Sequence, residues 1–234
     1  MGFRIDDYTF DEGVNTAMDL VRSDKVSQLV TINPEMINYA LKNEAFAKIV
    51  QNAEMVIPDG IGVKIALKLN GYNAERLPGI DFAYRLLQEC AKSNLPVAIV
   101  GAKEEVITKA IDNLKSKIKN LDIVYYRNGY FNNDIEVYNN LKEKSPRLIL
   151  VAMGSPRQEE FINNAKEYLP PGLMAGIGGS LDVWSGMVER APEIFQKLGL
   201  EWLYRTIKQP ERFKRIFPTL PLFLLKAICY KYTK

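Results

Sequence analysis

Three short runs hold the polar residues best placed to do chemistry: Thr31-Ile32-Asn33-Pro34, Pro58-Asp59-Gly60 and Gly154-Ser155-Pro156-Arg157-Gln158-Glu159. Each follows an apolar, branched stretch and precedes a helical pattern. Such places are the carboxyl ends of buried strands, where open α/β sheets bind ligands. A carboxylate there, Asp59, can take a proton from a hydroxyl held nearby, or can simply cap the helix that follows. Thr31 and Asn33 can hold a polar ligand by hydrogen bonds, while Asn33 before Pro34 is equally a natural turn or cap. Gln158 reads either as a ligand contact or as an exposed helix residue.

A second group suits an anion. Gly178-Gly179-Ser180 ends another apolar run, and glycines let the backbone approach a diphosphate closely. Asp182, just beyond, can accept from ribose hydroxyls as acidic residues do in other nucleotide sites. Arg190 has the guanidinium geometry for a diphosphate. In Gly129-Tyr130-Phe131, Tyr130 can stack on a base or belong to the core. The glycine spacing matches neither the dinucleotide fingerprint nor a Walker loop, and no Asp-x-Asp pair signals a metal-bound diphosphate.

The elements that must position these residues follow from periodicity. Strand-like runs fall at 27–32, 53–57, 96–100, 121–126, 147–152 and 172–177, with helical patterns between them, at 34–50 and 103–118 among others. Alternation of this kind predicts an α/β fold: a doubly wound, mostly parallel, Rossmann-like sheet. The 234 residues suffice for one α/β core, assigned to 1–195, with a basic, apolar C-terminal helical appendage at 196–234. Within that appendage Pro218 and Pro221 are expected to break any continuous helix.

Composition narrows the chemistry. There is no His, which excludes His-based triads and His-ligated metal; no metal site is expected. The two cysteines, Cys90 and Cys229, lie in unlike contexts, so a reducing compartment fits, with Cys90 a buried thiol. Neither a signal peptide nor a spanning helix is visible. Charge is uneven: residues 201–234 carry +6 and residues 1–200 carry −3. Large apolar groups interleave with those bases, which suits an anionic membrane surface better than nucleic acid. The same apolar groups suit a second copy of the chain.

Taken together, the blocks Thr31-Ile32-Asn33-Pro34-Glu35, Pro58-Asp59-Gly60-Ile61-Gly62, Gly129-Tyr130-Phe131, Gly154 to Glu159, Gly176 to Asp182 and Arg190-Ala191-Pro192 with Leu198 to Trp202 resemble the WecG/TagA/CpsF family of bacterial glycosyltransferases (glycosyltransferase family 26). The likeness spans about residues 4 to 217. It implies an inverting, metal-independent enzyme with no cofactor, moving a sugar, commonly N-acetylmannosamine or its uronate, from a UDP donor. The acceptor would be a polyprenyl-diphosphate-linked sugar at the inner face of the cell membrane. The resemblance places the base at Asp59, with Thr31 and Asn33 beside it, and turns Gln158 toward the nucleotide-sugar. It also implies that Arg205, Arg212 and Arg215 of the tail help hold diphosphate. Other donors, such as a UDP-glucose, and a non-catalytic UDP-sugar binding module remain the alternatives.

Overall fold

The computed structural model describes residues 2–208 and 213–232. Six strands form one sheet: β1 (Val26–Ile32), β2 (Met55–Pro58), β3 (Val97–Gly101), β4 (Ile123–Arg127), β5 (Leu148–Ala152) and β6 (Gly172–Gly176). Their order is β2-β1-β6-β5-β3-β4, and every pairing is parallel. The expected doubly wound α/β sheet is therefore present. β2, β3, β5 and β6 are buried along their whole length, because helices cover both faces and leave no room for a polar alternation.

Side chains alternate between the two faces. Leu29, Ile99, Leu150 and Ala175 join a core with α1 (Phe10–Arg22), α5 (Gly79–Lys92), α6 (Glu104–Lys117) and α9 (Ser180–Trp184). Cys90 lies in this core, fully buried as expected, and burial pushes its thiol up to about 12. On the opposite face Val100, Val151 and Met174 meet α7 (Asp134–Lys144) and α8 (Arg157–Ala165). Val30 and Ile32 meet α2 (Pro34–Ala40), α3 (Glu44–Gln51), α4 (Ile61–Leu69) and α12 (Phe213–Tyr232).

Two expectations are corrected. The pattern at 34–50 is two helices, α2 and α3, not one. The first ends at Ala40 with Leu41 as its C-cap, and the Asn43 side chain accepts from the Phe46 N–H at 3.0 Å to cap the second. The C-terminal segment is also one helix, α12, running through Pro218 and Pro221. An interior proline costs about 3 kcal/mol. Burial works against that cost: Phe223 and Ala227 are fully buried on α2 and α4, and a buried Phe contributes about 1.5–3 kcal/mol. Asn38 and Asn70 add side-chain hydrogen bonds to the carbonyls of Thr219 and Ala227, at 3.2 and 3.4 Å. At Gly62 of α4 the two helices approach so closely that a Cβ would lie 2.6 Å from Leu220 Cδ1.

The expected division at residue 195 falls inside α10 (Glu193–Lys197), which leads through α11 (Glu201–Lys208) to α12. Arg76 ties this segment to the body, donating to the Gln196 carbonyl at 3.0 Å and to Glu201 at 3.2 Å. Among the described residues no helix is long and apolar enough to cross a membrane.

Candidate active site

The strand order decides which sequence motifs meet. β1 and β2 are neighbours in register Ile32 to Pro58, so the residues that follow them share one corner of the rim. The Asp59 N–H donates to the Ile32 carbonyl at 2.9 Å, which places Asp59 beside Asn33. The helix after β2 starts at Ile61 with Gly60 as its N-cap at φ 84°. Asp59 thus stands one residue before the cap position. Asn33 does cap α2: its Oδ1 accepts from the Met36 N–H at 3.0 Å. That bond fixes the carboxamide and leaves its nitrogen as the end that can face a ligand.

Thr31, half-buried, donates from Oγ1 to the Gly176 carbonyl at 3.2 Å and packs on Gly79 at the start of α5. It therefore links the β1 end to β6, the next strand of the sheet. There the third group assembles. The Gly178 N–H donates to Gln158 Oε1 at 3.0 Å, and Gln158 Nε2 donates to Glu159 Oε1 at 2.7 Å. Gln158 is 3% exposed, so the surface reading of it is overturned: it binds the β5–α8 turn to the β6–α9 turn. Space for this bracket depends on Gly176, where a Cβ would sit 2.5 Å from Gln158 Nε2.

Gly178 and Gly179 form the turn into α9, with Gly179 exposed and the Asp182 carboxylate close over it. The Gly178 N–H is committed to Gln158, so Gly179 and Asp182 are the parts of this turn that face outward. Tyr130 is 73% exposed, which removes the core reading. It follows the edge strand β4, while the Gly129 N–H donates to the Ala102 carbonyl at 2.8 Å beside the β3 end. In the sheet order β6 lies two strands from β2, and Gly129 packs back against Gly101 and Met153, which end β3 and follow β5.

Arg190 lies two residues beyond Val188, whose N–H donates to the Asp182 carbonyl at 3.0 Å. Its Nη2 donates to Asp81 Oδ2 at 2.6 Å, in the first turn of α5. Of the tail arginines, Arg212 and the side chains of Arg205 and Arg215 lie outside the described residues. Beside the Asp59 corner, Ile61, Lys64, Arg76, Pro78 and Lys197 help line an open cavity of about 300 Å³. Sequence reasoning passed over Lys64 and Arg76, which carry no motif. It also passed over Gln28 and Glu159, 0% and 2% exposed, behind the Gln158 bracket.

A parallel sheet that gathers a carboxylate, an amide, a hydroxyl and a glycine turn along one rim defines a doubly wound α/β enzyme acting on a polar ligand. The comparisons give the class: the model of the "Glycosyl transferase WecG/TagA/CpsF family" matches residues 1–234, and the chain belongs to that family. It is 34% identical over 201 residues to an N-acetylglucosaminyldiphosphoundecaprenol N-acetyl-beta-D-mannosaminyltransferase of Bacillus spizizenii, covering 86% of this chain and 78% of that protein. The protein of the same name from Bacillus subtilis is 34% identical over 199 residues, covering 85% and 77%. The chain is accordingly a glycosyltransferase.

Proposed function

We propose that this enzyme transfers N-acetylmannosamine, with inversion and without metal, from UDP to a polyprenyl-diphosphate-linked N-acetylglucosamine in the synthesis of a cell-surface polymer such as teichoic acid. The observation that carries this reading is the shared corner of Thr31, Asn33 and Asp59, set beside the Gln158–Gly178 bracket. The relatives' names supply the sugar and the lipid-linked acceptor.

In the proposed reaction Asp59 accepts the proton of the acceptor hydroxyl while that oxygen attacks the anomeric carbon. The bond from the anomeric carbon to UDP breaks on the opposite side, and its electron pair leaves with the diphosphate. One displacement inverts the configuration, and the proton ends on the Asp59 carboxyl. Thr31 and the free end of the Asn33 carboxamide orient the sugars. The donor lies along the rim, its diphosphate at Gly178 and Gly179, its ribose at Asp182 and its uracil toward Tyr130. The cavity beside Asp59 is lined by both signs of charge: Arg76 pairs with Glu201 and Lys197 with Glu193, Glu75 is present, and Lys64 is the cation proposed to meet the acceptor's diphosphate. Arg190 and the tail residues Arg205, Arg212 and Arg215 complete the charge balance. The absence of His and of Asp-x-Asp supports metal independence.

Residues 196–234 are proposed to rest on the inner membrane face. Leu222 and Leu225 of α12 are more than half exposed, as are Ile194, Leu198 and Ile207, and the segment is basic. Such a surface suits the anionic interface where a polyprenyl acceptor resides; pairing of two chains through it is the competing use.

The test is UDP release from UDP-N-acetylmannosamine in EDTA, with and without a polyprenyl-diphosphate-N-acetylglucosamine analogue. Acceptor-dependent release is expected. Release with UDP-glucose alone, or only after a divalent ion is restored, would refute the donor or the metal independence respectively.

A further inference from the structure

Behind the Gln158 bracket lies a buried carboxyl to which the proposed reaction gives no part. Glu159, at the start of α8, is 2% exposed, and Gln28 of β1 is fully buried against it, its Nε2 reaching the Glu159 carbonyl at 3.4 Å. A carboxyl is costly to bury, so its retention here asks for a reason. The reason is in the geometry of Gln158. That carboxamide can sit in two flips of nearly equal shape. With Nε2 on Glu159 Oε1 and Oε1 on the Gly178 N–H, at 2.7 and 3.0 Å, both ends are matched. The opposite flip sets two donors together at Gly178 and two acceptors together at Glu159. Glu159 therefore dictates the flip, and the flip holds the turn.

We propose that Glu159 is a positioning residue for the donor: through Gln158 it locks the Gly178 N–H inward, which presents Gly179 and Asp182 to the nucleotide diphosphate and ribose. This deepens the reading of the β6–α9 turn as the UDP subsite, and rests on it. Two further features agree. Glu159 Oε2 and Gln28 Oε1 are buried without hydrogen-bond partners among the described residues. Burial also pushes the Glu159 carboxyl above its ordinary value, against the lowering by Gln158 and Ser155.

The experiment compares Glu159→Met, which keeps volume but removes the acceptor, with Glu159→Gln, which keeps an oxygen for Gln158. Titration calorimetry with UDP and hydrogen exchange at the Gly178 amide are both read. In Glu159→Met, UDP affinity is expected to fall at least tenfold and Gly178 to exchange at least tenfold faster. The variant should remain folded, and KM for the acceptor should not change. Glu159→Gln should stay within about threefold of the wild type in both readings. If Glu159→Met fails to fold, Glu159→Asp, whose carboxyl is one methylene short of Gln158, takes its place with the same expectation. A folded Met or Asp variant with wild-type UDP affinity and Gly178 exchange overturns the proposal. A wild type that does not bind UDP overturns the donor reading alone, since Gly178 exchange in the variants still decides the role of Glu159.

Discussion

Arg190 donates from Nη2 to Asp81 across 2.6 Å, so the segment entering α10 is pinned to the first turn of α5, two residues from the Gly79 contact with Thr31. Among the described residues that one contact engages the guanidinium fork, and its Nε is buried without a hydrogen-bond partner. Asp81→Asn is expected to destabilise the fold by about 1 kcal/mol, since both partners are partly exposed, as read by urea unfolding. Arg190→Ala should in addition weaken UDP binding about tenfold by calorimetry. Equal UDP affinity in Arg190→Ala and wild type would confine Arg190 to the structural pairing.

Gly176 is the residue the bracket tolerates least. It is buried in β6, and a methyl there meets Gln158 Nε2 at 2.5 Å and Cδ at 2.9 Å. Overpacking of this kind costs about 1–3 kcal/mol. Gly176→Ala should lower the denaturation midpoint accordingly and weaken UDP binding. Normal UDP binding in Gly176→Ala would mean the bracket is irrelevant to the donor.

The buried carboxyl makes stability depend on pH in a defined direction. Burial raises the Glu159 carboxyl from its usual 4.5 in the folded state, so folding favours its protonated form. The stability this group confers is complete below about pH 4.5 and is lost as pH rises through the folded-state value. Glu159→Gln cannot ionise. The wild-type thermal midpoint should therefore decline relative to Glu159→Gln as pH rises from 4.5, a difference that parallel thermal melts would show. A constant difference across that range contradicts the assignment.

The apolar stripe of α12 gives a prediction about the membrane. Phe223 and Ala227 face the body while Leu222 and Leu225 face outward. Changing the latter two to Ser leaves the packed face intact, and each Leu withdrawn from an interface costs about 1.5–3 kcal/mol. Sedimentation with vesicles containing phosphatidylglycerol should show binding reduced at least tenfold, with the melt unchanged. Unaltered vesicle binding, together with a loss of self-association, would assign the stripe to a second copy of the chain.

Why some of this was legible and some was not has a physical basis. The six strands announce themselves because a sheet covered on both faces needs runs such as Leu148 to Val151 with no polar interruption. The break between α2 and α3 was hidden because Asn43 looks like one more polar residue of a helix until its cap is seen. The continuity of α12 was hidden because proline counts against a helix locally, whereas the burial of Phe223 that opposes this is tertiary. The corner of Thr31, Asn33 and Asp59 needs only the pairing of consecutive strands, which sequence suggests. The link from Thr31 to Gly176 needs β6 beside β1, a crossover no local pattern encodes. Gln158 and Glu159 read as a solvated helix start because their polarity says nothing of the inner strands β1 and β6 that bury them.

The central claim is that Asp59 takes the acceptor's proton. Steady-state transfer by Asp59→Asn, alongside its affinity for UDP, tests it most directly. Loss of general-base catalysis is expected to lower kcat by about 10²–10⁴, with the UDP dissociation constant within about threefold of the wild type. A kcat within tenfold of the wild type would contradict the role given to Asp59 and to the corner it shares with Thr31 and Asn33.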